Sequence, residues 1–286
     1  MKACVLFLLL LVAAAQPAAA SCDVRAVWWW NAAAARETAS AEGRLQFLAA
    51  RGVNEVFFCV DAKMSCAELA GFVRKVRARG LRISWLAGDV SWIEPQNLGF
   101  DETWRRYQAY QQTAPADARF DALHLDVEPH QNRKLSDARK WQLYADFVLR
   151  ATATVHKGGE KLEWDIPFWL DGLKVARDAR TDASLLELVM DVSDGVVLMS
   201  YRDSAAAMLD TAREELACAA TRRCRVLLGA ETGKTDEGDF VSFYEEGDLA
   251  LRTELEKVHT ALRALNLPVP TGTAVHHVGA WMKLKE

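Results

Sequence analysis

In the run Phe120-Asp121-Ala122-Leu123-His124-Leu125-Asp126-Val127-Glu128-Pro129, polar and apolar residues alternate towards the end. Side chains of a strand point to opposite faces in turn, so His124, Asp126 and Glu128 share one face while Leu123, Leu125 and Val127 take the other. Two carboxyls two residues apart on one face repel when both are ionised, and partial burial adds to the effect, so one of the pair keeps its proton near neutral pH. Cleavage of a glycosidic bond asks for a carboxylic acid of that kind. Glu128, nearest the C-terminal end of the strand, is the expected general acid, Asp126 its modulator, and His124 an expected substrate contact on the same face. A purely structural account would make the acids a buried hydrogen-bonded pair, but two inward carboxyls are expensive to bury without a use.

Such a strand needs a frame that buries one face and opens the end of the other. Apolar, β-branched or aromatic runs recur at 25–30, 53–60, 82–88, 122–129, 162–169, 195–202, 225–232 and 273–281, with helical patterns between them. That is the signature of repeated βα units, and eight of them fit a closed (β/α)8 TIM barrel of about 250 residues. A doubly wound sheet usually carries a Gly-rich first turn, and none follows Trp30. Leu69, Phe72, Val73 and Val76 fall at helical spacing before Gly80, as do Trp141, Tyr144, Val148 and Val155 behind Ser136, and Leu251, Leu255, Val258, Leu262 and Leu265 later. Five residues follow Trp281, so the eighth helix is expected to be truncated or absent. In a barrel of this kind the three polar residues of the fourth run point inward, and Glu128 lies nearest the C-terminal mouth where active sites are built.

The chain has 286 residues, 51% hydrophobic and 26% charged, with a formal charge of −4. This balance excludes disorder as the dominant theme. The one conspicuous basic run, Arg74 to Arg82, reads as a solvated helix face, so nucleic acid is not an expected partner. Ten tryptophans permit stacking on sugars as readily as core packing. Trp92, in a loop after the third run, is a candidate glycan platform or a plug for the mouth. Lys2, the apolar run from Val5 to Ala15 and Ala18-Ala19-Ala20 have the order of a secretory signal, which sets expected boundaries of 1–20 for a signal peptide and 21–286 for one catalytic domain. The expected location is secreted or periplasmic, with lipid attachment at Cys22 as a competitor and no later membrane span. In an oxidising compartment Cys59 with Cys66 and Cys218 with Cys224 are expected as short-range disulfides, each worth roughly 2 kcal/mol. Their spacing does not suit zinc, and neither metal nor cofactor is expected. The stretch from Gly229 to Thr235 is one residue short of a phosphate-binding loop and reads as a turn after the seventh strand, with Lys234 a solvated loop residue or a contact for an anionic sugar substituent. Oligomeric state is not legible.

The segment from Asp121 to Glu128 resembles the strand-four signature D-x-x-D-x-D-x-E of family 18 glycoside hydrolases, the chitinase-like barrels. The resemblance implies that Glu128 protonates the leaving oxygen and that Asp126 orients a substrate acetamido group for attack on the anomeric carbon. Met199-Ser200-Tyr201 resembles the family's M-x-Y segment, which implies that Tyr201 assists that group, and Trp281 resembles the Trp forming the floor of the sugar site. If Trp281 faces inward, His277 does too, and both are then expected to contact substrate together with Trp30. Two positions depart from the pattern: His124 stands for the middle Asp, and Arg202 stands where an Asp usually follows the Tyr. Glu231, ending the seventh strand, opens another resemblance, to retaining clan A glycosidases with a strand-four acid/base and a strand-seven nucleophile, although Val127 stands where that clan has Asn. The expected partner in either case is a carbohydrate or glycoconjugate. A non-catalytic glycan-binding barrel is the competing class.

Overall fold

The computed structural model describes residues 23–176 and 181–286. Eight parallel strands close into a barrel: β1 Val24–Trp29, β2 Glu55–Cys59, β3 Arg82–Ala87, β4 Leu123–Asp126, β5 Leu162–Pro167, β8 Gly195–Met199, β9 Arg225–Glu231 and β10 Thr271–His276. Two further short strands, β6 Lys174–Ala176 and β7 Asp182–Ser184, pair antiparallel between β5 and β8. All eight sequence runs therefore overlap a barrel strand, β1 and β10 beginning one and two residues before their runs. The helices are α1 Ala32–Arg36 and α2 Thr38–Ala50 after β1, α3 Cys66–Arg77 after β2, α4 Gly99–Thr113 after β3 and α5 Asp137–Lys157 after β4. They continue with α6 Leu185–Val192, α7 Ala205–Thr211, α8 Arg213–Ala219, α9 Asp248–Leu265 and α10 Val278–Trp281. The helix after the last strand is thus a single turn, as the short C-terminal sequence required.

Local chemistry fixes the helix ends. Ser65 and Glu68 form a reciprocal capping box at the start of α3, Leu69, Phe72, Val73 and Val76 are buried on the barrel, and Gly80 takes a positive φ of 74° beyond its end. In α5 the Ser136 side chain makes no capping bond, and the helix is held by its buried stripe of Tyr144, Phe147, Val148 and Val155. Trp92 is buried against Phe100 and Phe147, so it is part of the packing under α4 and α5 and not a platform for glycan.

The strand alternation divides the core into two shells. Outward residues such as Trp29, Phe58, Trp85, Leu125, Trp164 and Leu198 join the helices in one continuous apolar cluster. Ala26, Trp28, Phe57, Leu86, Val197, Leu227 and Ala274 fill the lumen. Beneath them a charged layer spans the barrel: Arg225 donates to Glu55 at 2.9 and 2.7 Å, and its Nε lies 3.1 Å from Glu163. A buried charge is tolerated only when paired in this way. One close approach positions the end of β4. A Cβ on Gly88 would sit 1.7 Å from the Asp126 carbonyl oxygen, so only glycine lets the end of β3 lie against Asp126.

The four described cysteines are free thiols, which corrects the expected bridges. Cys59 ends β2 on the lumen side, whereas Cys66 begins α3 exposed outside the wall, so the two thiols sit in different places despite their short spacing. Cys224 is buried with its thiol donating to the Arg225 carbonyl, while Cys218 is half-buried on α8. The expected leader, its cleavage point and Cys22 lie outside the described residues. No helix among the described residues is long and apolar enough to cross a membrane.

Candidate active site

His124, Asp126 and Glu128 share the lumen face, at three depths. His124 is fully buried, stacked on Phe57 with ring centroids 4.1 Å apart. Its Nε2 lies 2.9 Å from Asp165 Oδ1 and its Nδ1 3.4 Å from Glu163 Oε2. Burial pulls the imidazole pKa down, but the charge and hydrogen bond of Asp165 and the adjoining Glu163 more than reverse this and raise it to about 9. His124 is therefore an imidazolium sealed below the mouth. It cannot touch substrate, which corrects its expected role, because two residues of strand separate it from the open end.

Asp126 and Asp165 are register partners across β4 and β5. Asp165 is fully committed, its Oδ2 accepting from Trp28 Nε1 at 2.9 Å and its Oδ1 meeting His124. Asp126 has a buried Oδ1 with no hydrogen-bond partner. Burial, then the charges of Asp165 and Glu128, push its pKa well above the usual carboxylate range, with His124 opposing them. These neighbours favour the neutral form of Asp126.

Glu128 lies just past the end of β4, where Pro129–Gln131 turns the chain. Its side chain is 27% exposed. Its Oε2 takes both polar contacts, Gln131 Nε2 donating at 2.7 Å and His130 Nε2 lying at 3.1 Å. Burial would raise its pKa, but His130, Gln131 and the nearby His276 outweigh burial and hold it below the ordinary value. The sequence reading makes Glu128 the acid that keeps its proton, but the shifts run the other way, upward at Asp126 and downward at Glu128, because Asp126 is the more deeply buried and Glu128 has His130 and Gln131.

Across the mouth, Glu231 ends β9 opposite His276 in the β10 register. Its Oε1 accepts from the backbone N–H of Thr232 at 2.7 Å and of Gly233 at 2.6 Å, and its Oε2 lies 2.7 Å from His276 Nδ1. Against the upward pull of burial, these bonds lower its pKa. Trp30 Nε1 lies 2.8 Å from His276 Nε2. An indole N–H only donates, so Nε2 must accept and the proton of His276 must sit on Nδ1, facing Glu231. Tyr201 lies between the two halves, its ring 6.0 Å from that of His276. Burial first, then the charges of Asp165, Glu231, Asp126 and Glu128 drive its pKa well above the usual phenol value, so the hydroxyl keeps its proton.

Comparison with known proteins bears on this arrangement only through the fold. The active domain 2 of a thermostable chitinase from Pyrococcus furiosus superposes with a TM-score of 0.55 at 10% identity, covering 90% of this chain and 83% of that one. A class V chitinase from Pseudomonas fluorescens Pf-5 gives 0.53 at 13% identity over 91% and 98% of the two chains, and a GH113 beta-1,4-mannanase gives 0.53 at 10% over 90% and 89%. The fold is that of glycoside hydrolase barrels. No protein-family model matches the chain, and no curated protein does.

Within that fold, two expected contacts move. Trp281 lies in α10, buried in the outer shell with its Nε1 donating to Asp248 Oδ1 at 2.7 Å and its ring against Phe47, so it forms no floor to the mouth. His277 accepts from the Gly279 N–H as the cap of α10, and it is His276 that faces the lumen. The cause is common to both: β10 ends at His276, five residues before Trp281, and the chain then turns into helix. Arg202 lies at the rim, its Nη1 donating to the Tyr201 carbonyl at 2.7 Å. Trp30 lies beside His276 at the mouth. Asp165 and His276 are the site residues that the sequence reading passed over, although Glu163-Trp164-Asp165-Ile166 has the same alternation as β4. Among the described residues no group of three or more His, Cys, Asp or Glu is placed to hold a metal ion.

Proposed function

We propose that the protein is a glycoside hydrolase that cleaves a glycosidic bond at the mouth formed by Asp126, Glu128, Tyr201, Glu231 and His276. The observation that carries this reading is two carboxyls two residues apart with opposite surroundings: Asp126, its buried Oδ1 without a hydrogen-bond partner and its pKa raised, and Glu128, at the mouth with its pKa lowered by His130 and Gln131. The pair holds one proton. When a glycan covers the mouth and strips Glu128 of its contacts with His130 and Gln131, the proton passes from Asp126 to Glu128 and from there to the leaving oxygen as the C–O bond breaks. The carboxylate left on Asp126 then orients the group that takes the anomeric carbon, with the Tyr201 hydroxyl donating to the same group. General acid catalysis of this type is worth about 10²–10⁴-fold. In this reading the chain is exported after loss of residues 1–20, with lipid attachment at Cys22 as the alternative, and residues 21–286 act as one catalytic domain.

A second reading keeps Glu231 as the nucleophile of a covalent double displacement. It is favoured by the lowered pKa of Glu231, since a nucleophilic carboxylate must be ionised. Its three hydrogen bonds argue instead for a fixed anion that positions His276. The test of the main reading is incubation of the wild type and of Glu128→Gln with a panel of polysaccharides and glycopeptides. New reducing ends with the wild type and none with the mutant are expected. Equal turnover by a folded mutant removes Glu128 from the chemistry, and stoichiometric binding without turnover by either protein makes the barrel a lectin.

A further inference from the structure

Among the described residues, Arg202 at the rim has no carboxylate to neutralise its charge. It directly follows Tyr201, and its guanidinium carbon lies 5.1 Å from the centre of the Phe168 ring and 5.5 Å from that of Phe240. Phe168 follows β5 and Phe240 belongs to the loop after β9, so the guanidinium is held between the loops on either side of β8. Aromatic faces attract a cation and keep its plane fixed without occupying its N–H groups. Its hydrogen bond goes to the Tyr201 carbonyl, and no carboxylate lies within salt-bridge distance among the described residues. Other arginines at the surface of the barrel, such as Arg25, Arg51, Arg74 and Arg222, each have an acid.

A planar fork of donors, pre-oriented beside the reacting groups and left without an anion, fits an anion that offers two oxygens, and the planar anion a saccharide unit carries is a carboxylate. Phe240, 55% exposed, forms one wall of the same position and offers a ring face for the sugar that carries it. The negative charges of Glu128 and Glu231 disfavour an anion at the centre of the mouth, which leaves the rim as the place for it. We infer that Arg202 selects a carboxylated saccharide, binding the carboxylate of a sugar unit next to the bond that is cut. This rests on the reading of the mouth as a glycan site and adds the substrate class. The carboxylate has two chemical sources, the C6 acid of a uronic acid unit or a lactyl ether on an amino sugar.

Calorimetric binding separates them with two matched pairs of tetrasaccharides: β-1,4-glucuronan against cellotetraose, and an oligomer alternating N-acetylglucosamine with N-acetylmuramic acid against chitotetraose. The wild type is expected to bind the acidic member of one pair about 10- to 100-fold more tightly, as a charge-assisted bond allows, and the pair that responds identifies the source. Arg202→Met should abolish that preference while leaving affinity for the neutral member unchanged, and Arg202→Lys should retain only part of it. Equal affinity within both pairs, a preference that survives Arg202→Met, or no binding of any of the four overturns the inference. Should Arg202→Met fail to fold, the wild type with Arg202→Lys decides alone, and a preference that the lysine leaves whole overturns it. Binding is read without turnover, so an inactive protein that shows the Arg202-dependent preference sinks the hydrolase reading and spares this one, whereas cleavage of neutral glycans unaffected by Arg202→Met does the reverse.

Discussion

Asp126 and Asp165 stand opposite each other in the β4–β5 register, and every oxygen of Asp165 is occupied while the buried Oδ1 of Asp126 has no partner. Two acids in the same layer of the same lumen thus differ completely in their bonding. The difference comes from their neighbours: Asp165 has the indole of Trp28 and the imidazolium of His124, and Asp126 has two negative charges.

Asp126→Asn should fold and lose activity about 100-fold or more, because the pair then has no proton to transfer. Its effect on stability has a definite sign. A carboxyl whose folded pKa is raised contributes stability that is present below its unfolded pKa and lost as pH rises through the folded one. Urea unfolding at acid and at neutral pH should therefore show the mutant gaining on the wild type as pH increases. A constant difference would mean that Asp126 is ionised in the native state.

The pH profile of kcat/KM should be a broad bell. Its acid limb falls below the ordinary glutamate value, because Glu128 and Glu231 are both held low, and its alkaline limb lies well above the carboxylate range, where Asp126 gives up its proton. His130→Ala removes a group that lowers the Glu128 pKa and should move the acid limb upward while leaving the alkaline limb in place. An acid limb that stays put would separate His130 from Glu128.

His124, with its pKa raised to about 9, contributes stability that is complete below its unfolded value and is lost as pH rises through about 9. The loss should be on the order of 3 kcal/mol, counting the interaction with Glu163 and Asp165 once. Chemical unfolding of the wild type between neutral pH and pH about 10 should show this fall, and His124→Gln should be destabilised at neutral pH but flat across the same window.

Alkylation without reductant should label all four described cysteines once the protein is unfolded. In the native state Cys66, exposed on α3, should react first. Burial pushes the Cys59 thiol up to about 11 and Cys224 further still, so both should resist. Mass mapping that finds a Cys59–Cys66 or Cys218–Cys224 peptide would restore the bridges.

Glu231→Ala is expected to lower kcat, and azide should not restore it, because the three bonds to Glu231 fit a fixed anion that holds His276. Formation of a glycosyl azide of inverted configuration would make Glu231 the nucleophile and reverse that assignment.

The barrel was legible because each strand carries its own apolar face, and that face repeats on a period that no helix shares. The face of β4 was legible for the same reason. Glu163-Trp164-Asp165 carried an equal signal, two acids two residues apart on one face, and was passed over because it lies deeper in its strand, away from the C-terminal end where the chemistry was sought. Trp281 and His277 were placed wrongly through the end of one strand: reading β10 as far as Trp281 puts odd-numbered residues inward, whereas stopping it at His276 puts His276 inward and frees Trp281 for helix packing. The protonation of Asp126 over Glu128 depends on Asp165 and His130, neighbours brought in by β5 and by the turn at Pro129, and no spacing along one strand contains them. The cysteine spacings were short enough for bridges, yet spacing does not record that a barrel wall lies between a lumen residue and a helix residue.

The charged layer of Glu55, Arg225 and Glu163, capped by His124 and Phe57, makes the barrel a cul-de-sac. A long polymer cannot thread it and must be met broadside, lying across the rim between the loops that carry Trp30, Phe168 and Phe240. Substrate arrives and product departs by one door. The bond that is cut is then chosen by how the chain is laid over that threshold, so the loops, and not the lumen, set where along a glycan the protein acts.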